Sequence, residues 1–329
     1  MKKLFAISFI IAFNYTLAQY KTIGKVKRYD SAINHIISRD AKIEIIAEGF
    51  DWSEGPLWVE KYKMLLWSDV PKNRIYKWTE AKGQELYLEP SGYTSDVKRG
   101  GEMGSNGLLL DKEGRLVLCQ CGNRQMARMD APLDHPEPIF TALAGKYDGK
   151  RFSSPNDATF NSKGELFFTD PPYGLEKQAN DPTKETPYNG VYKVKKNGEI
   201  ILLTDSLTRP NGIAFFPDEK QLLIANSDGA KPNWYIHDVK GDALSNGRIF
   251  YSNMGHTKGM KGLPDGLKID KKGNVFATGP GGVFVFNSKG TLLGKIAVPE
   301  STSNCSLSAD EKTLYITNDM YILRIKIKN

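Results

Sequence analysis

Residues 156–170 read Asn156-Asp-Ala-Thr-Phe-Asn-Ser-Lys-Gly-Glu-Leu-Phe-Phe-Thr-Asp170: a polar head, a short apolar run, a Ser-Lys-Gly turn and a second apolar run ending on an acid. Short runs rich in β-branched and aromatic residues, bounded by Gly, Asp and Asn, are the pattern of paired strands. The same order returns five more times. Glu54-Gly-Pro-Leu-Trp58 leads to Leu65-Leu-Trp-Ser-Asp69, and Asn106-Gly-Leu-Leu-Leu-Asp111 leads to Leu116-Val-Leu-Cys-Gln120. Asn211-Gly-Ile-Ala-Phe215 precedes Leu222-Leu-Ile-Ala-Asn226, and Asp265-Gly-Leu-Lys-Ile-Asp270 precedes Val275-Phe-Ala-Thr-Gly279. Asn304-Cys-Ser-Leu-Ser308 precedes Leu314-Tyr-Ile-Thr-Asn318.

The heads fall at 54, 106, 156, 211, 265 and 304, at intervals of 52, 50, 55, 54 and 39 residues, and the turn glycines 114, 164 and 273 each lie eight residues past their head. A unit of about 50 residues holds four short strands, and no stretch past the N-terminus sustains a helical period, so the expected fold is all-β: a six-bladed β-propeller. Ala41-Lys-Ile-Glu-Ile-Ile-Ala47 and Tyr321-Ile-Leu-Arg-Ile-Lys-Ile327 both read as strands. The ring is expected to close by placing the first of these in the C-terminal blade. The organisation is then 1–18 as a signal peptide, 19–40 as an N-terminal arm outside the ring, and 41–329 as the propeller. Segments 90–104, 132–155, 174–190 and 250–264, rich in Gly, Pro and charge, are expected to be long loops covering a binding face.

Met1-Lys2-Lys3, the apolar run from Leu4 to Phe13 and Thr16-Leu-Ala18 follow the charge, apolar core and small-residue order of a secretory signal, which predicts export with cleavage after Ala18. The run is about half of what a spanning helix needs, so stable membrane insertion is not expected. The formal charge of +7, with 45 basic and 38 acidic residues interspersed, contains no basic stripe and argues against nucleic acid as a partner. Three cysteines, an odd number, leave at least one free thiol, and the four histidines are too scattered for a zinc motif. The absence of a Gly-x-Ser-x-Gly elbow argues against a serine hydrolase. A monomer or a dimer is compatible with all of this.

In a propeller the head of each repeat projects toward the axis. Here the heads are Glu54, Asn106, Asn156, Asn211, Asp265 and Asn304: amides and carboxylates only, with a formal charge of −2. Two carboxylates at one axial point repel unless a cation lies between them. Oxygen ligands without thiolate or imidazole select a hard divalent ion, Ca²⁺ first, with Mg²⁺, Mn²⁺ or Zn²⁺ as substitutes. The competing account is that Asn-Gly and Asp-Gly are common turn formers, so that any single head is a turn residue. Glu54 resists it, since Glu is a poor turn former.

Glu54-Gly-Pro-Leu-Trp58, Ser154-Pro-Asn-Asp157, Phe168-Thr-Asp-Pro-Pro-Tyr-Gly174, Arg209-Pro-Asn-Gly212 and Leu263-Pro-Asp-Gly266, in this order, make the chain resemble the SMP-30/gluconolactonase family from about residue 30 to its end. The resemblance implies a divalent metal held by Glu54, Asn156, Asn211 and Asp265, and hydrolysis of a sugar lactone, with Asp265 also the general base. The expected mechanism is a metal-polarised carbonyl attacked by an activated water. Asn106, Asp157 and Asp170 would contact substrate hydroxyls, and Arg151 and His256 would reach the rim. Cys121 stands where gluconolactonase-like sequences often have His, and is either a substrate-facing thiol or a small buried filler. Two other functions stay open: a metal-dependent phosphotriesterase-like hydrolase and a non-catalytic ligand-binding propeller.

Overall fold

A computed structural model describes residues 20–255 and 259–328. The proposed signal at 1–18 and His256 lie outside the described residues. Six antiparallel sheets form the blades of a β-propeller. The first blade is Ser53–Val59, Met64–Asp69, Arg74–Thr79 and Gly83–Leu88; the second is Ser105–Leu110, Leu116–Gln120, Gln125–Met129 and Phe140–Ala144. The third is Ala158–Phe160, Leu166–Asp170, Gly190–Val194 and Ile200–Thr204, and the fourth runs from Pro210–Phe215 through Gln221–Asn226 and Asn233–Lys240 to Ala243–Ser252. Leu267–Ile269, Val275–Gly279, Gly282–Phe286 and Leu292–Ala297 make the fifth.

The sixth blade closes the ring. Asn304–Leu307, Thr313–Asn318 and Tyr321–Lys326 take Ile43–Glu48 as their outermost strand, with Ile43 opposite Ile325 and Ile45 opposite Leu323. Arg324 pairs across that joint with Glu44 at 2.8 Å. The first and last strands thus share one sheet, as the sequence predicts. The core lies between blades, where the apolar faces meet: Leu66, Leu108, Leu118 and Met129 between the first two, and Trp234, Phe284 and Phe286 between the fourth and fifth. Each such side chain, fully buried, stabilises the fold by about 1.5–3 kcal/mol relative to exposure.

Two segments differ from the sequence expectation. The N-terminal arm is bound more intimately than a segment packed outside the ring. Lys25–Arg28 adds a fifth strand to the fifth blade, with Lys25 opposite Ala297, and Ile33 and Ile37 are fully buried against the fifth and sixth blades. An outer edge offers unpaired backbone groups, and the arm satisfies them. Segment 132–155 contains the outer strand Phe140–Ala144 and a small hairpin, Lys146–Tyr147 with Lys150–Arg151. Its strand is mostly solvent-facing, so the apolar alternation that marks the inner strands is missing.

Candidate active site

The heads meet because each blade is tied to the next at the axis. Ser68 Oγ donates to Asn106 O at 3.0 Å, Gly107 N to Asn156 O at 2.8 Å, and Thr169 Oγ1 to Asn211 O at 2.8 Å. Ser227 Oγ donates to Pro264 O, Thr278 Oγ1 to Ser303 O at 2.8 Å, and Ser303 Oγ to Ser53 O at 2.6 Å, which completes the circuit. The glycine after a head serves close approach. A Cβ on Gly55 would lie 2.0 Å from Asn106 O, and one on Gly212 would lie 2.3 Å from Asp265 O. The turn-former account of these Xaa-Gly pairs therefore misses their use here, which is to let neighbouring heads crowd the axis.

Five heads, Glu54, Asn106, Asn156, Asn211 and Asp265, line one cavity of about 340 Å³. Trp52, Tyr173, Leu263 and Thr302 wall it, and Glu102, which the sequence reading missed, joins the heads. The oxygens Asn106 Oδ1, Asn156 Oδ1, Asn211 Oδ1, Asp265 Oδ1 and Glu102 Oε2 are buried without a hydrogen-bond partner. Asn211 is oriented by its own amide nitrogen, which donates to Ser227 Oγ at 3.0 Å and leaves the oxygen to the cavity. Unpaired buried oxygens are costly, and a set of them on residues lining one cavity suits a hard cation.

The carboxylates report the same imbalance of charge. Burial, with Asp157 and Glu102 nearby, pushes Glu54 up to about 8. Burial, then Glu54, Glu102 and Asp157, holds Asp265 well above the usual carboxylate range. Burial pushes Glu102 up to about 7. Among the described residues no three His, Cys, Asp or Glu side chains close into a metal cage by themselves. A cation here would be held by asparagine and carboxylate oxygens together, so the donor set fits a hard divalent ion.

The other named residues are placed elsewhere. Asn304, the sixth head, is not among the cavity-lining residues; its Nδ2 donates to Asp157 Oδ2 at 3.4 Å, and Lys268 Nζ lies 3.9 Å from the same carboxylate. Asp157 is likewise not among the cavity-lining residues. Asp170 is fully buried and accepts the backbone N–H groups of Ser153 and Ser154 at 2.8 and 2.6 Å, fixing the chain that delivers Asn156. Cys121 is fully buried and donates to Pro155 O at 3.3 Å. It makes in the second blade the link that Ser227 makes in the fourth, a bond to the carbonyl just before the next head. Burial holds its thiol pKa well above the ordinary value, against a thiolate. All three cysteines are free and buried. Arg151 lines a separate cavity of about 560 Å³ with Arg99, Arg124 and Lys177, which contains none of the heads.

The family description SMP-30/Gluconolactonase/LRE-like region matches residues 52–319. A gluconolactonase of Zymomonas mobilis is 37% identical over 93% of this chain and 87% of its own. A pentonolactonase of Haloferax volcanii is 24% identical, covering 80% of each chain. Among solved structures, a gluconolactonase from Xanthomonas campestris superposes with a TM-score of 0.80 and 29% identity, covering 94% of this chain and 98% of its own. Among the described residues no helix is long and apolar enough to cross a membrane.

Proposed function

Because the chain belongs to the SMP-30/gluconolactonase family, we propose that its axial cavity opens a sugar lactone by hydrolysis with the aid of one divalent cation, Ca²⁺ in the first instance. The protein is a lactone-hydrolysing enzyme of the gluconolactonase kind. The observation that supports the location and the cation is the convergence of unpaired oxygens from Asn106, Asn156, Asn211, Asp265 and Glu102 in one cavity.

Glu54, Asn156, Asn211 and Asp265 would hold the ion. When bound, it would supply Lewis-acid polarisation of the lactone carbonyl and offset the charge that develops on its oxygen. The rest falls to the chain. Trp52, Tyr173 and Leu263 shape a cavity of about 340 Å³, at the small end of the ~300–1,000 Å³ typical of small-molecule sites. Those walls would seat the lactone ring beside the heads. Asn106, whose Oδ1 faces the same space, would accept a substrate hydroxyl. Asp265 would take a proton from the attacking water as that oxygen bonds to the carbonyl carbon. The acyl–oxygen bond of the ring then breaks, the proton passes to the departing oxygen, and the product is a hydroxy acid.

Gluconolactone hydrolysis, followed by acid release, tests this on chain stripped with EDTA and then resupplied with Ca²⁺, with a phosphotriester assayed in parallel. Activity that returns with Ca²⁺ on the lactone is the expected result. Stripped protein with full lactonase activity, or hydrolysis confined to the phosphotriester, would remove the proposal. Asp265→Asn should lower kcat by about 10²–10⁴-fold in a folded protein.

A further inference from the structure

We propose that Glu102 is a third anionic group of the axial site, brought in by the loop between the first two blades, and that it strengthens binding of the divalent cation. The inference rests on the cation reading above. Unlike the heads, Glu102 belongs to no repeat: it lies between the end of the first blade at Leu88 and the start of the second at Ser105. Yet it lines the same cavity as Glu54, Asn106 and Asp265, and its Oε2 is buried without a hydrogen-bond partner.

The loop is held in place from both sides. The Glu102 N–H donates to Tyr173 O at 3.4 Å, and the Gly104 N–H donates to Val70 O at 2.8 Å. Arg99 spends its guanidinium on backbone carbonyls: Nη1 on Gly122 O at 2.7 Å, Nε on Gly100 O at 3.1 Å, and Nη2 on Gly174 O. Arg99 thereby fastens the Glu102 loop to the turn after the second blade's second strand and to the loop after Tyr173. It acts on the site through Glu102, as a positioning residue.

Among the described residues, no lysine or arginine lines the cavity. Lys268 Nζ lies 3.9 Å from Asp157, which does not line the cavity. Three carboxylates, Glu54, Glu102 and Asp265, line one partly desolvated space and repel one another. Such a set is favourable with a dication opposite it. Since no three acidic side chains close into a cage among the described residues, Glu102 contributes charge beside the mixed amide and carboxylate set, and charge count is what tunes cation affinity in oxygen sites.

Calorimetric titration of calcium chloride into the purified full chain tests the proposal on wild type, Glu102→Gln, Arg99→Met and the double variant, with thermal unfolding in EDTA as the folding control. Glu102→Gln should weaken Ca²⁺ binding about 10–100-fold, as loss of outer-shell partners does, while its unfolding temperature in EDTA does not fall. Arg99→Met should weaken binding less, with no further loss when added to Glu102→Gln. Wild type that binds no Ca²⁺ would remove the cation reading itself. Wild type that binds while Glu102→Gln stays within twofold of it would overturn the role of Glu102 alone. Losses that add fully in the double variant would overturn the positioning role of Arg99.

Discussion

Cation binding at the axial cavity should release protons. Without a cation, burial first of all raises Glu54 to about 8 and Glu102 to about 7, and holds Asp265 well above the usual carboxylate range. At pH 7 Glu54 is then mostly protonated and Glu102 about half so, and a dication requires carboxylates. More than one proton should therefore leave per ion bound. The apparent affinity should rise by at least about tenfold from pH 6 to pH 7. The raised values also fix the direction for stability. They lie above the unfolded glutamate value of about 4.3, so their contribution is present below that pH and is lost as pH rises through about 7–8. The cation-free chain should lose stability from pH 5 to pH 9, and the stabilisation given by Ca²⁺ should grow over the same range. Calorimetry in two buffers of different ionisation enthalpy counts the protons directly. Heats that do not depend on the buffer, with affinity flat between pH 6 and pH 8, would refute the reasoning.

Ser227→Ala removes the acceptor that orients Asn211 and should lower lactonase activity about tenfold or more, with about 1 kcal/mol lost in denaturant unfolding. Cys121→Ser keeps a donor for Pro155 O and should leave activity and unfolding temperature near wild type, whereas Cys121→Ala should lower the unfolding temperature. A thiol reagent should find no reactive cysteine in the native chain and three after unfolding, since all are buried and burial raises each pKa, Cys305 to about 12. Deleting residues 321–329 removes the strand that anchors Ile43–Glu48 and should leave no soluble folded protein on expression.

The repeat was legible because strand pairing imposes a fixed length: a head, four or five residues, a tight turn, and a return strand. Ring closure was legible for a related reason, since two apolar strands at the ends of the chain have no other sheet to join. The ligand-type heads stood out because turns alone do not ask for Glu54. Where the reading fell short, the causes are local. Asn304 looks like its five counterparts, but its side chain lies against Gly266, where a Cβ would meet it at 2.0 Å, and it is drawn down to Asp157. Asp157 follows a head and is held by Asn304 and Lys268, and Asp170 ends a strand and clamps the loop before Asn156, partners that one dimension does not show. Cys121 reads as an exception at a polar position until its thiol is seen taking up the same blade-to-blade link as Ser227. Glu102 carries no sequence signal, because a loop between repeats has neither period nor motif, and only the approach of Tyr173 and the Arg99 contacts put it over the axis.

Glu54, Asn156, Asn211 and Asp265 are proposed to surround one divalent cation on the propeller axis. A crystal structure of the chain grown with Ca²⁺ should show a single ion within about 2.3–2.6 Å of oxygens from those four side chains. An axis free of metal at saturating Ca²⁺, or an ion held by other residues while these four point apart, would contradict it.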